Sequence, residues 1–356
     1  MISHKKLEHF TREVFTSFGI PNHVATVAAE NLVRADLRGI DSHGVARLSG
    51  FVRLIKSGRI NVNAKPNITY ETASTATFDG DAGLGLYVAN EAMKIAIQKA
   101  ETCGSGWVAV KNSSHFGIAA SHAEMAIGYD MIGLAMTNAS PLVAPAGASE
   151  GYLGTNPICI VVPTGKYKPF LLDMATSAAA NGKLEIAQRK NNPIPSGWAQ
   201  TKEGHITTNA HALKDGGVLL PLGSDIDHGY HKGYGLGAMV DILTGVLSGA
   251  NFGAWVPPFV NFLDVKQSVG KGIGHFVGAW KVDAFQPASE FKDRMDTWIE
   301  GVKNLKKNEG IEEILIPGEP EYRAEEKRLK EGVPLNDKVI IDLENLAKEL
   351  GLKLDI

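Results

Sequence analysis

The apolar period of this chain changes twice, and that switch restricts the fold more than any single motif does. Residues 5 to 60 carry apolar side chains at helical spacing. "LEHFTREVFTSFGI" ends near Gly19, Pro21 suits the first turn of "NHVATVAAENLVRADLRG", and Asp41 or Ser42 can cap "GVARLSGFVRLIKSG". From about residue 67 the pattern alternates, as strands do. "NITYETAST", "ATFDGD", "GWVAVKN", "IGLAMTN", "PICIVVPT", "PFLLDMAT" and "HFVGAWKVDAF" read as strands, with helices such as "LYVANEAMKIAIQKAETCG" and "LGAMVDILTGVLSG" between them. Beyond Pro287 the helical spacing returns. A chain of 356 residues exceeds what one hydrophobic core fills. The expected architecture is α/β: a central mixed domain over 73–286, and a helical domain built from both chain ends, 1–72 and 287–356.

Several function classes fall away on charge and composition. A formal net charge of -3 offers no basic field for nucleic acid or an anionic membrane. Cys103 and Cys159 have no metal-ligand spacing, and so few cysteines suit a reducing cytosol. "MISHKKLEHFTREVF" carries charges where a signal peptide would be apolar, so the cytoplasm is the expected location. A Rossmann turn needs G-x-G-x-x-G directly after a buried strand. The nearest match, "GYGLGA" at Gly233, follows the polar stretch "SDIDHGYHK" and fails on context.

Four clusters could carry chemistry. In "DSHGVAR", a helix capped by Asp41 or Ser42 would put His43 and Arg47 on one face, beside free backbone N–H groups. A guanidinium fork suits a carboxylate and an imidazole moves protons near neutral pH, so the pair describes a pocket for a small hydroxy or oxo acid. The plain alternative is a capped helix with an exposed histidine. In "KNSSHFGIAASHAE", His115 and Gly117 sit between a strand and a helix, where they could meet substrate or phosphate, or merely form a cap. In "FLLDMATSAAANGK", Asp173 ends a strand and small residues follow, which suits ribose hydroxyls or a cap equally. In "DIDHGYHKGYG", Asp225, Asp227, His228 and His231 invite a metal reading, although the spacing is irregular; Lys232 suits a phosphate or ribose better.

Taken together, "DSHGVARL", "NSSHFGIAA", "TNASPLVAPAGASEGYLGTNPI", "DMATSAAANGK", "HKGYGLGAMVDILTGVLSG" and "PGEPEYRAEEKRLKEGVPL" resemble the type 2 malate/L-lactate dehydrogenases, in order and over nearly the whole chain. That family also holds sulfolactate, ureidoglycolate and diketogulonate-type oxidoreductases. The resemblance implies a mixed-sheet, non-Rossmann nucleotide-binding domain beside the helical one, and a homodimer with its sites near the subunit contact. It implies NAD, or NADP, as cofactor and malate/oxaloacetate as the first substrate pair, with lactate, sulfolactate and ureidoglycolate open. By the same resemblance His43 is the acid/base, Ser42 supports it and Arg47 holds the substrate carboxylate. His115 serves catalysis or cofactor binding. Cofactor contacts are implied for His115, Phe116, Gly117, Ile118, Ala119, Ser140, Asp173, Met174, Ala175, His231, Lys232, Gly318 and Glu319. The loop at 225–231 departs from commoner glycine-rich versions. Two rival classes remain: a metal-dependent hydrolase using that loop, and a catalytically silent binding protein.

Overall fold

The computed structural model describes residues 1–355. Three helices open the chain, α1 (His4–Ser17), α2 (Asn22–Leu37) and α3 (Leu48–Lys56). The sheet region follows with β1 (Asn67–Glu71), β2 (Thr75–Asp79), α4 (Gly85–Cys103), β3 (Ser105–Ser113), α5 (Ala120–Ala123), β4 (Met131–Thr137), β5 (Ile158–Val162) and β6 (Phe170–Met174). Then come α6 (Asn181–Lys190), the short strands β7 (Ala199–Gln200), β8 (Ile206–Thr207) and β9 (Val218–Leu219), α7 (Tyr230–Asp241) and β10 (Ile273–Lys281). The chain closes with α8 (Ala288–Lys303), α9 (Glu319–Glu331) and α10 (Asp337–Leu350).

Seven strands form one sheet in the order β1-β2-β3-β10-β4-β5-β6, and β8-β7-β9 form a small second sheet. Only β2 and β3 run parallel, joined over the sheet by α4; every other neighbouring pair is antiparallel. A dinucleotide fold of the Rossmann kind needs a mostly parallel sheet with a switch point, so this topology explains the missing fingerprint. α4 packs close because its inner face is rich in alanine, with Ala89, Ala92, Ala96 and Ala100 fully buried. Gly106 of β3 lies so near that a Cβ there would meet the Ala96 carbonyl at 2.0 Å.

The helical core takes side chains from both chain ends. Phe10, Val14, Leu32, Phe51 and Ile55 pack with Val339, Leu343 and Leu346 of α10. Backbone bonds between Ile2 and Val333, at 2.9 and 2.7 Å, tie the first residues to the segment before α10. From 287 onward, the helical core holds residues from Val333 on. α8 and α9 lean instead on the sheet: Asp296 accepts the Gly165 and Lys166 N–H groups, and Tyr322 enters the sheet-side core. No helix among the described residues is long and apolar enough to cross a membrane.

Two local expectations change. The third helix starts at Leu48, after a 3₁₀ turn at Val45–Arg47, and neither Asp41 nor Ser42 caps it. α7 gives way at Ile242–Val246 to a π turn, where a Cβ on Gly245 would meet the Asn251 carbonyl at 2.8 Å.

Candidate active site

The loop after α2 is shaped by a buried acid. Asp36 is 1% exposed, and its carboxyl accepts the Val45 N–H at 2.8 Å. Gly44 passes so close that a Cβ would lie 1.9 Å from Asp36 Oδ1. This contact draws residues 40 to 45 into a tight turn and delays the helix, which is why the expected cap does not form. Asp41 instead pairs with Arg328 at 2.5 Å, half exposed and turned toward α9. Burial pushes the Asp36 carboxyl up to about 8, against the pull of the Val45 bond, so it holds a proton at neutral pH.

His43 and Arg47 therefore do not share a helix face, yet they converge. Ser42 Oγ lies 2.9 Å from His43 Nδ1, and Arg47 Nε folds back to donate to the Ser42 carbonyl at 2.5 Å. His115 stacks on His43 with ring centroids 5.8 Å apart and planes 22° apart. Phe259 closes the other side of His115 at 4.8 Å, and Ser140 Oγ accepts the Phe259 N–H at 2.9 Å. Gly50 makes room for that ring, since a Cβ there would meet it at 2.6 Å. His43, Arg47, His115, Ser140, Asn181 and Phe259 line one cavity of about 70 Å³. Arg47, Asn181 and Phe259 also line a larger one of about 480 Å³ beside it.

The electrostatics favour neutral imidazoles. Burial, then the Arg47 charge, lowers His43 to about 4. His115 is pushed well down by burial, with His43, Arg47 and His275 adding to it. Arg47 itself is engaged by Glu185 of α6 at 3.1 Å, and Asn181 donates to the same carboxylate at 2.8 Å.

A third cavity, of about 300 Å³, lies at the other end of the 115–120 loop. Ala120 is five positions on from His115, so the two ends are no more than about 18 Å apart. Its walls are largely apolar, from Leu171, Leu172, Ile316, Pro317 and Pro320, with Asp173 among the residues lining it. Asp173 accepts the Ala120 N–H at 2.9 Å, and burial raises its carboxyl to about 6. An apolar slot beside a hydrogen-bond-accepting carboxyl fits a planar base and a ribose diol.

The other expected contacts fall as follows. Gly318 joins Asp173 at this third cavity, but the Glu319 carboxylate is held by Lys303 at 2.7 Å. Phe116, Ile118 and Ala119 are buried, Phe116 stacking on His275 at 4.8 Å. Met174 and Ala175 are half-buried just beyond Asp173. His231 and Lys232 are exposed on the first turn of α7 and line none of these three cavities. In the 225–231 loop Asp225 bonds His228 at 2.7 Å, and among the described residues no three His, Cys, Asp or Glu side chains converge as metal ligands. Asp36, Glu185, Asn181 and Phe259 were not legible as site residues. Each is an ordinary helix or loop residue in sequence and gains its place only by packing.

Residues 2–344 match the family model for malate/L-lactate dehydrogenase. The chain belongs to the malate/L-lactate dehydrogenase family. A malate dehydrogenase from Pyrococcus abyssi is 47% identical over 98% of this chain and 94% of that protein. An L-sulfolactate dehydrogenase from Methanocaldococcus jannaschii is 40% identical over 96% of this chain and 95% of that one. The solved malate dehydrogenase of Pyrococcus horikoshii superposes with a TM-score of 0.89 at 43% identity, covering 99% of this chain and 96% of that one. As a malate/L-lactate dehydrogenase family member this chain is a 2-hydroxy acid dehydrogenase, and the hydrolase alternative has no support.

Proposed function

We propose that this enzyme interconverts malate and oxaloacetate with NAD, NADP being the alternative cofactor. The observation that carries the reading is the convergence of His43, His115 and Arg47 on one cavity. The names of the similar proteins support malate over other hydroxy acids. So does the adjoining cavity, lined by Arg47, Arg53, Arg189, Lys214 and Lys338 against the single carboxylate of Glu185. That surplus of cations suits a substrate with two acid groups better than lactate. It suits sulfolactate equally, which keeps that substrate as the second reading.

In this mechanism Arg47 exchanges Glu185 for the substrate C1 carboxylate. The exchange fixes C2 near the imidazoles, so that positioning supplies much of the rate. Neutral His43 takes the hydroxyl proton in oxidation and returns it in reduction, a role worth about 10²–10⁴-fold. The nicotinamide, when bound, supplies the hydride chemistry. Asp173 and Gly318 would hold its adenosine end, and the 115–119 loop and Ser140 its nicotinamide end.

The working form is a homodimer in the cytoplasm. Tyr234, Leu236, Met239, Ile242, Val246 and Leu247 are all more than a third exposed along α7 and its π turn, an apolar face that supports self-association. His231 and Lys232 open the same helix and would then reach cofactor only across that contact.

The test is NADH and NADPH oxidation over a panel of oxaloacetate, pyruvate and sulfopyruvate, with molecular mass read by light scattering. Oxaloacetate should give the highest kcat/KM, with pyruvate at least about 100-fold lower, the loss of one buried charge contact. Equal use of pyruvate would remove the case for a diacid, and no oxidation with any of the three would remove the reading altogether. A monomer mass would remove the dimer.

A further inference from the structure

We infer that His115 is a fixed Nε2–H hydrogen-bond donor to the reacting oxygen and exchanges no proton with substrate. The inference rests on the hydroxy-acid chemistry proposed above. Its basis is one bond: the Gly117 backbone N–H donates to His115 Nδ1 at 3.2 Å. A backbone N–H can only donate, so Nδ1 must carry a lone pair. The single proton of neutral His115 is therefore on Nε2.

The surroundings hold that tautomer. Gly117 lies at φ +82°, and a Cβ there would meet Leu86 at 2.8 Å, so glycine is the residue that lets the chain turn its N–H onto the ring here. The His115 ring is caught between His43 at 5.8 Å and Phe259 at 4.8 Å, with the edge of Phe51 at 6.0 Å. A second proton at Nδ1 would break the Gly117 bond and place a cation against Arg47 and His43. His275 lies beyond, engaged by Thr137 Oγ1 at 2.8 Å and Ser113 Oγ at 2.8 Å.

His43 stands in the opposite situation. Its Nδ1 faces the Ser42 hydroxyl at 2.9 Å, and a hydroxyl can either donate or accept. With Nδ1–H donating to Ser42, Nε2 is free to receive a proton, and the same bond survives when the ring becomes imidazolium. Ser42 thus permits both charge states of its histidine, whereas Gly117 permits one. In oxidation the substrate O–H proton goes to His43 Nε2. The O–H electron pair becomes the second bond of the carbonyl, and the C2–H pair leaves as hydride to the oxidised nicotinamide. His115 Nε2–H donates to the oxygen throughout and exchanges no proton. The charged groups around the pair are Arg47, with Glu185 and Arg189 behind it, and behind the loop lies Asp36, whose carboxyl burial raises to about 8.

Two measurements test this. The first is ¹⁵N NMR of the histidine-labelled enzyme without ligands near pH 7, with the His115 signals identified by their loss in His115→Gln. A bare Nδ1 and a protonated Nε2 are expected, and the reverse pattern overturns the inference even if the enzyme's substrate is something else. The second is the pH profile of kcat for two variants. In His115→Gln the amide can keep a donor near Nε2 without titrating, so kcat should fall about tenfold and the pH-dependent limb should persist. In His43→Gln kcat should fall about 10²–10⁴-fold and the limb should vanish. A His115→Gln enzyme that loses the limb overturns the assignment. A wild-type enzyme that oxidises no NADH or NADPH with any 2-oxo acid overturns the proposed function instead, and leaves the tautomer to the NMR result.

Discussion

Arg47 is held by the Glu185 carboxylate of α6, and in the proposed mechanism substrate replaces that partner, so its worth to binding is the difference between the two. The geometry it offers matters as much as the charge, because Nε is already committed to the Ser42 carbonyl and the terminal nitrogens face Glu185. A lysine keeps the charge and loses both the fork and the Nε bond. Arg47→Lys should therefore raise KM for the 2-oxo acid about 10–100-fold, equivalent to about 1.4–2.7 kcal/mol, with a smaller change in kcat. Steady-state kinetics at fixed cofactor check this, and an unchanged KM would move carboxylate binding to Arg53 or another wall of the larger cavity. His43, Arg47 and His115 stood out in the sequence as candidates, each with a capping role as the plain alternative, and the family resemblance was what set them together. Glu185 did not stand out, since a glutamate in "GKLEIAQRK" looks like any exposed helix residue.

At the scale of elements, the short turn between α2 and α3 decides where the imidazole points. Its shape comes from the missing Cβ of Gly44 against the carboxyl of Asp36. Gly44→Ala would force these apart, costing about 1–3 kcal/mol of stability as other overpacking changes do. It should also lower kcat, because His43 is the preceding residue and moves with the turn. Urea unfolding and kcat measured on the same preparation check both effects; a variant with unaltered stability and kcat would show the turn to be pliant. The sequence supported a helix here and placed its start at Asp41 or Ser42, six or more residues before the α-helix begins. Local capping preference pointed there, and a buried acid from the previous helix overrode it. α7 shows the same limit: its helical period is clear, but the close approach of the 251–253 backbone opens a π turn.

For the molecule as a whole, stability is linked to pH through groups buried out of their usual state. His43 and His122 are lowered to about 4 and His275 to about 3, each chiefly by burial. Their unfolded forms take up protons below about 6.5 and the folded forms do not, so they cost stability as pH falls below that value. Asp36, raised to about 8, and Asp173, raised to about 6, act in the opposite direction. The folded chain keeps protons that the unfolded chain releases above about 3.9, so stability falls as pH rises through the folded values. From pH 6.5 to 8 the histidine contribution is absent and the Asp36 contribution remains. Stability of the wild type should decline over that interval. Asp36→Asn, which can still accept the Val45 N–H, should flatten it. Unfolding free energies at pH 6.5 and 8.5 check this, and parallel profiles for the two proteins would mean that Asp36 is ionised in the fold.

The sequence alone determined the alternation of helical and strand segments and the absence of a Rossmann turn, and of the expected C-terminal half of the helical body only the part from Val333 on joins the first helices, α8 and α9 lying on the sheet. The first two depend on local periodicity or on the immediate context of a motif, which a linear reading contains. It also marked His43, Arg47, His115 and Asp173, whose side chains are costly to bury without a purpose. Tertiary structure decided what surrounds them: Asp36 behind the loop, Glu185 across from the guanidinium, Phe259 against the imidazole, and the Gly117 N–H on its Nδ1. Those partners come from elements up to 144 positions away, from His115 to Phe259, and no spacing rule connects them. Proton placement belongs to that second class, because it depends on which nitrogen a neighbouring backbone group happens to face.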